Sequence, residues 1–541
     1  MKVPKLAVCL LLGALLSIAM GQDISWDIKN YHLYNAWAFL HDRHSLDIAA
    51  AGLQTYFNPL PDLPYFYLAT GPLQDWPRLL AGLQGLWFGA LLFVVVGIAN
   101  RFATLQGRNP DWTDLCAALV GVTGTMAVSQ AGSTSNEVPL AMLVLLGLYL
   151  LMPALSTEQF TKPLRRATFA GMACGLAAGL KPTAIVYVPA TAIALLLALG
   201  IRRRSSWQAV ACYGSSALVV FLAVYGPWGW HLYHATGNPI FPLFNHWFES
   251  PLTAPSSLTD HRFRPRSVLQ WLFYPFYWAT RQHNLVTEVY FADPRYAMAM
   301  LALLMLAFGK WLRPPAWTAD QGRATRFLVT FVVVGYVTWL LLFSILRYAI
   351  PLEALTGVVV FHAIRTWAAP RLPSKRWVAV LLVLILGASI YPNWWRGSYR
   401  EHVIEADLPR LPPQSLVVLA GTPDAYLATL FPDAQTLKFV GITWFTRASQ
   451  DHGIYEQTAR RLKEQAGPIY VVLRDDTANE NEMPLLNEML EGHSTTDCMQ
   501  IRSSMESGRN KKDYALGLRL CRLVRETPAP QRVQSPAAAQ G

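Results

Sequence analysis

Four short stretches of this chain combine residue types that can do chemistry. The first is Trp26-Asp27-Ile28-Lys29-Asn30-Tyr31-His32-Leu33-Tyr34-Asn35-Ala36-Trp37, where helical spacing puts Asp27, Tyr31 and Tyr34 on one face with His32 beside them. The second is Ser133-Thr134-Ser135-Asn136-Glu137, a polar loop that opens an apolar run; the third is Gly179-Leu180-Lys181-Pro182-Thr183; the fourth is Arg347-Tyr348-Ala349-Ile350-Pro351. Asp27 is a candidate proton acceptor. Lys181 and Arg347 are candidate anion holders, the arginine as a two-pronged fork and the lysine as a point charge. Each stretch also has a plain structural reading: aromatic anchoring at a membrane surface for the first, a helix-dipole preference for Glu137, and snorkelling for the two cations. Charges at membrane depth are costly and are usually paired or functional, so several on one side favour a shared site.

The elements that must position these residues are apolar. Of 541 residues, 53% are hydrophobic and 15% charged, and the mean hydropathy is +0.26. The apolar residues come in long runs, which excludes a soluble chain and predicts an α-helical polytopic membrane protein with the lipid bilayer as partner. A net charge of +11 would suit nucleic acid in a soluble protein, but here Lys and Arg flank apolar runs, so no nucleic acid is expected. The first run, Leu6 to Met20, has the look of a signal peptide. Its Ala19-Met20-Gly21 end fits cleavage poorly, and an uncleaved first helix with a cytoplasmic N-terminus is expected. Further runs at 79–99, 114–130, 137–153, 167–180, 183–200, 207–229, 296–312, 327–346, 348–366 and 377–391 bring the count to about eleven transmembrane helices.

Basic residues then fix the orientation. Arg101 and Arg108; Lys162, Arg165 and Arg166; Arg202, Arg203 and Arg204; Arg313, Arg323 and Arg326; and Arg371, Lys375 and Arg376 all fall on one side, which the positive-inside rule makes cytoplasmic. Lys181 and Arg347 are the exceptions. On this topology the loops 22–77 and 230–295 are external, and the aromatic run Trp271 to Trp278 in the second is expected to lie along the membrane surface. The transmembrane domain is assigned to 1–391, a periplasmic α/β domain to 392–526 and a disordered tail to 527–541. Within the α/β domain, Ser415–Leu419 and Ile469–Leu473 read as strands, Tyr455–Gln465 as an amphipathic helix, and Thr422-Pro423 as a helix start. Cys9, Cys116, Cys174 and Cys212 lie in apolar runs and read as small hydrophobes. Cys498 and Cys521 would sit in an oxidising compartment, and spacing alone leaves their pairing open.

The order of these features resembles that of the polytopic glycosyltransferases of the GT-C fold, the group that includes protein O-mannosyltransferases, aminoarabinose transferases and the RgtA/B/C/D-like family. Asp27 followed by Tyr31-His32 matches the acid of the first external loop, Glu137 the acid opening the fourth helix, Gly171 through Lys181 a Gly-rich helix ending in lysine, and Arg347-Tyr348 with Pro351 an Arg-Tyr-x-x-Pro run. The resemblance covers about residues 1–390. Asp27 lacks the adjacent second acid found in several of these families, and Lys181 is followed by proline where glycine is frequent.

The resemblance implies transfer of a sugar from a polyprenyl-phosphate carrier to a hydroxyl of a glycan, lipid or protein acceptor, on the periplasmic face of a bacterial inner (cytoplasmic) membrane. A phosphate leaves as a stable anion, so one base suffices, unlike the two carboxylates of glycoside hydrolysis. Asp27 would be that base, with inversion at the anomeric carbon. Lys181 and Arg347, with Tyr348, would hold the phosphate. His32 and Tyr31 would line the site, with His32 orienting Asp27 or donating to the phosphate. Glu137 and Asp62 would position Lys181 or Arg347, or hold a divalent cation as in some members. No ligand spacing is diagnostic of a metal, and no cofactor is expected. A polymerase or ligase of lipid-linked glycans would use the same residues. A secondary transporter would also carry intramembrane charges, but no clear internal repeat is present.

Overall fold

The protein is described by a computed structural model covering residues 3–157, 163–256, 258–312, 317–368, 375–474, 479–506 and 517–525. Lys162, Arg313, Arg371 and the tail 527–541 lie outside the described residues. Every apolar run predicted to span contains a helix, because backbone in hydrocarbon must satisfy its own N–H and C=O groups. In chain order the first half comprises α1 (Val3–Met20), β1 (Gln22–Asp23), α2 (Leu33–Leu40), α3 (Leu63–Ala69), α4 (Pro77–Leu105), α5 (Trp112–Val122), α6 (Thr125–Ser129), α7 (Glu137–Leu151), α8 (Pro163–Leu180) and α9 (Tyr187–Leu199). The helices continue with α10 (Arg204–Thr236), α11 (Asn245–Phe248), α12 (Val268–Tyr277), α13 (Arg295–Leu312), α14 (Ala319–Leu342), α15 (Ile350–Glu353), α16 (Thr356–Ala368) and α17 (Lys375–Ala388). Among the described residues five helices are long and apolar enough to cross a membrane, or six if one pair bent by 42° is a single span.

Two predicted spans are broken, each for a visible reason. The run 114–130 divides at Thr123-Gly124, where the absent glycine side chain leaves room for Glu353. The Glu353 carboxylate accepts from the N–H groups of Met126 (3.0 Å) and Ala127 (2.8 Å), satisfying donors that open α6. The run 348–366 becomes a 3-10 turn (Leu346–Ala349), α15 and α16, with Pro351 in the first turn of α15. The helix predicted over 207–229 is longer at both ends in α10.

Small residues set the closest packing. Gly171 and Gly175 of α8 lie against the backbone of α10 at Tyr213 and Ala217, and Gly85 and Gly89 of α4 lie against α1. Neither contact has room for a side chain, the usual way helices approach closely in lipid.

After α17 the chain forms β2 (Arg396–Gly397), antiparallel to β1, which ties the segment after the first helix to the segment after the last. A five-stranded sheet follows in the order β4-β3-β5-β7-β6, from β3 (Leu416–Ala420), β4 (Lys438–Ile442), β5 (Ile469–Arg474), β6 (His493–Ile501) and β7 (Leu518–Arg525). Strand β3 is parallel to β4 and β5, whereas β7 is antiparallel to β5 and β6. The helix predicted at Tyr455–Gln465 is found at Gly453–Lys463, and Thr422-Pro423 leads into a 3-10 turn, Ala425–Thr429, rather than an α-helix. Cys498 and Cys521 form a disulfide between β6 and β7. The first long loop adds to the sheet edge through a parallel bridge from Ile48 to Val440. It also shares a core with the domain: Ile28, Tyr34 and Trp37 pack with Val417, Leu419, Tyr426 and Phe439.

Candidate active site

Asp27 begins the site. It precedes a π-helical turn, Ile28–His32, and such wider turns are frequent at functional positions. The strand pair β1–β2 and the Asp23 carboxylate, which accepts from Thr134 N–H (2.8 Å) and Oγ1 (2.9 Å), fix the chain just upstream. Asp27 is buried, and Arg347 Nη1 donates to its Oδ2 at 2.8 Å. Burial acts to raise its pKa, but Arg347, His32 and Lys181 outweigh that and hold the carboxyl below its usual range.

Arg347 stands on the 3-10 turn that follows α14. Leu346 N–H donates to Val286 O (2.8 Å), and Tyr187 Oη donates to Tyr348 O (2.7 Å), so both neighbours of Arg347 are held by other elements. Its guanidinium lies 5.6 Å from the ring centres of both Tyr348 and Trp394. Flanking aromatic faces favour the cation and restrict its plane.

Lys181 ends α8 because Pro182 follows. The residue before proline is pushed out of the helical region, and Lys181 has φ −142° and ψ 113°. Asn58 Nδ2 donates to the carbonyls of Gly179 (3.0 Å) and Leu180 (3.4 Å), which the ending helix leaves open. Lys181 Nζ donates to Glu137 Oε1 (2.6 Å) and Ser135 O (2.9 Å), and lies 5.6 Å from the Tyr348 ring centre. Glu137 heads α7 after Asn136, whose φ of +69° is the left-handed conformation asparagine tolerates. Its Oε1 also lies 3.8 Å from Arg347 Nε. A continuous charged chain therefore runs Asp27, Arg347, Glu137, Lys181.

His32, Tyr31 and Asp62 complete one wall. His32 Nδ1 donates to Asp62 Oδ1 at 2.7 Å, and the Tyr31 ring lies 4.1 Å from the His32 ring and 5.5 Å from Phe57. Asn136 Nδ2 donates to Asp62 as well, at 2.9 Å. Two expectations need correcting here. Asp62 hydrogen-bonds His32 and Asn136, and its ion pair is with His32 rather than Lys181 or Arg347. Tyr34 does not share the face of Asp27, since the extra residue in the π turn rotates the helix beyond it, and the Tyr34 hydroxyl donates to Asp47 at 3.0 Å. Trp394 was not singled out from the sequence. The signal available was its place just after the last apolar run, in Pro392-Asn393-Trp394-Trp395.

Three buried polar atoms of this cluster have no hydrogen-bond partner: Glu137 Oε2, Arg347 Nε and His32 Nε2. Such atoms are costly to leave unpaired in a finished structure, so they mark where a polar ligand would bond. A small cavity of about 20 Å³ is lined by Glu137, Leu140, Val144, Tyr187, Arg347 and Tyr348, a mix of charged and apolar side chains. A larger cavity of about 320 Å³, between Arg108, Asp114, His362 and Arg365 at the far ends of α4 and α16, contains none of these residues. No group of three or more His, Cys, Asp or Glu side chains suited to a metal ion is found among the described residues.

Fold and site together define an integral membrane protein: a helical bundle, an α/β domain joined to its loops, and between them a buried set of two carboxylates and two cations. The solved structure of ArnT from Cupriavidus metallidurans bound to undecaprenyl phosphate has the same fold, with a TM-score of 0.52 and 13% sequence identity over 96% of this chain and 97% of that one. No protein-family model matches the chain, and no curated protein matches its sequence.

Proposed function

We propose that this chain is a membrane glycosyltransferase that moves a sugar from a polyprenyl-phosphate carrier to an acceptor hydroxyl, with Asp27 as general base. The observation that carries the reading is the largely buried 2.8 Å pair of Asp27 with Arg347, joined through Glu137 to Lys181. The shared fold with a protein solved with undecaprenyl phosphate bound supports the class of donor. In the reaction the acceptor oxygen bonds to the anomeric carbon and its proton passes to Asp27. The bond from that carbon to the phosphate oxygen breaks, and polyprenyl phosphate leaves with the electron pair. Attack opposite the leaving group inverts the configuration. The growing charge on the phosphate is met by Lys181 and Arg347, already oriented, so little reorganisation is required. His32 Nε2, unpartnered, is available to the donor, while Asp62 sets its ring.

The Asp27–Arg347 pair gives the resting site a safeguard. Paired, Asp27 is a weakened base; a carrier phosphate that draws Arg347 toward itself releases it. Activation of the base is thereby tied to arrival of the donor. Leu140 and Val144 put an apolar wall beside the charged groups. Our reading keeps about eleven spans, a cytoplasmic N-terminus and, in a bacterial inner membrane, a periplasmic α/β domain. Domain limits are put at 1–391, 392–526 and 527–541. The Cys498–Cys521 disulfide supports that side, since such bonds persist in oxidising compartments. Mass spectrometry of envelope lipids and glycans from a deletion strain tests the reading: a hexose- or pentose-sized mass lost on deletion and restored by the wild-type gene is expected, and an unchanged profile counts against it.

A further inference from the structure

We infer that the C-terminal domain acts as a positioning device for the proposed base, holding the π-helical turn beside Asp27 through a partly buried contact between Lys29 and Glu506. The inference rests on the glycosyltransferase reading and concerns how its base is held. Lys29 lies within the Ile28–His32 turn, and its Nζ donates to Glu506 Oε1 (3.4 Å) and Oε2 (3.3 Å), with the two side chains 13% and 14% exposed. Glu506 is held in turn by Arg474 Nη1 at 2.7 Å and by the Tyr426 hydroxyl at 3.1 Å. Arg474 also pairs with the buried Asp424.

The place where these four charges meet is informative. Asp424 follows β3, Arg474 ends β5, and Glu506 stands on the turn after β6. The chain leaves β3 for β4 on one side and then crosses to β5 on the other, so the carboxyl ends of β3 and β5 form a switch point. In open α/β sheets that crevice is where ligands bind. Here a side chain of the same polypeptide enters it, as an internal ligand bringing the charge that balances Glu506 and Asp424 against Arg474. Further along, the same loop is stitched to the β4 edge: Asp47 accepts from Phe439 N–H (2.9 Å), Ile48 N–H donates to Phe439 O (3.0 Å), and Gly441 N–H donates to Ile48 O (2.9 Å). Lys29 is the tether two residues from Asp27. Lys181 and Arg347, by contrast, are carried by α8 and by the turn after α14; their polar partners Ser135, Glu137 and Asp27 lie outside this domain, and among the described residues of 392–526 only the Trp394 ring flanks Arg347.

The test uses the full-length protein in lipid nanodiscs, as Lys29→Met, Glu506→Gln and the conservative Lys29→Arg. Three quantities are read: backbone hydrogen exchange across residues 25–34, binding of undecaprenyl phosphate, and restoration in a deletion strain of the mass lost there. For Lys29→Met and Glu506→Gln the expected result is exchange at least tenfold faster in that stretch, undecaprenyl phosphate bound no more weakly than by wild type, and transfer at least tenfold lower. Lys29→Arg should recover most of the transfer. Unchanged exchange, unchanged transfer in both variants, or phosphate binding lost in step with transfer would each overturn the inference. If the wild type itself neither binds undecaprenyl phosphate nor restores any mass, the glycosyltransferase reading fails instead. The exchange measurement still reports whether the domain holds the turn.

Discussion

Asp27→Asn separates the two duties that the site assigns to one carboxylate. The substitution keeps shape and removes charge, so Arg347 loses the partner 2.8 Å away but retains Glu137 at 3.8 Å. Unit charges at 2.8 Å attract by about 6 kcal/mol at an effective dielectric of ~20. Desolvation offsets most of that for a buried pair, and if about a quarter survives, ~1.5 kcal/mol of competition with an incoming phosphate disappears. Undecaprenyl phosphate should then bind about tenfold tighter to the variant than to wild type. Transfer should fall by about 10²–10⁴, the usual worth of a positioned base. Titration of nanodisc-embedded protein, followed by native mass spectrometry, gives the first quantity, and envelope mass profiles of complemented strains give the second. Weaker phosphate binding in the variant, or transfer at the wild-type level, would refute the reasoning.

Three further outcomes concern separate parts of the molecule. Trp394→Leu removes one of the two rings flanking Arg347 and the hydrogen bond from its Nε1 to Ser129 Oγ at 3.2 Å; undecaprenyl phosphate affinity should drop by about 5–30-fold, reflecting ~1–2 kcal/mol for a desolvated cation–π contact. Gly175→Leu forces a side chain into the backbone of α10 at Ala217, and thermal unfolding should show a loss of about 1–3 kcal/mol or more. His44 is pushed down to about 4 by burial and the neighbouring His231, with Asp42 opposing. Because its folded value lies below the unfolded 6.5, its contribution is intact above about pH 6.5 and stability falls, by at most about 3 kcal/mol, as the pH drops toward 4. His44→Phe should flatten that part of the melting-temperature profile.

How far this was legible in the sequence depends on the range over which each feature is determined. Helix positions follow from apolar runs, and Lys181 and Glu137 sit where Pro182 and Asn136 end and start their helices, so local rules suffice. The charge pattern that set Lys181 and Arg347 apart also led to residues that meet in space. The failures are non-local or subtle. A π turn has no signature in residue spacing, so α-helical spacing puts Tyr34 beside Asp27 whereas its hydroxyl meets Asp47. Asp62 and Trp394 depend on contacts with His32 and Arg347 that only the assembled bundle supplies. Strand β6 lies at the sheet edge and is largely exposed, and β7 beside it mixes arginines with apolar residues, so both lack the continuous buried apolar signal that exposed β3 and β5. Nothing in the sequence around Lys29 hints at its partner, which comes from the far end of the chain.

That last separation has a consequence for biosynthesis. Lys29 and Glu506 are 477 residues apart, and at about 5–20 residues per second a ribosome needs roughly half a minute or more to make the stretch between them. Throughout that interval the nascent chain can thread its helices into the bilayer with the first loop untethered. On the proposed reading, the turn beside the base gains its last tether only when the final domain is made, so a product terminated before Glu506 is expected to insert but to transfer little.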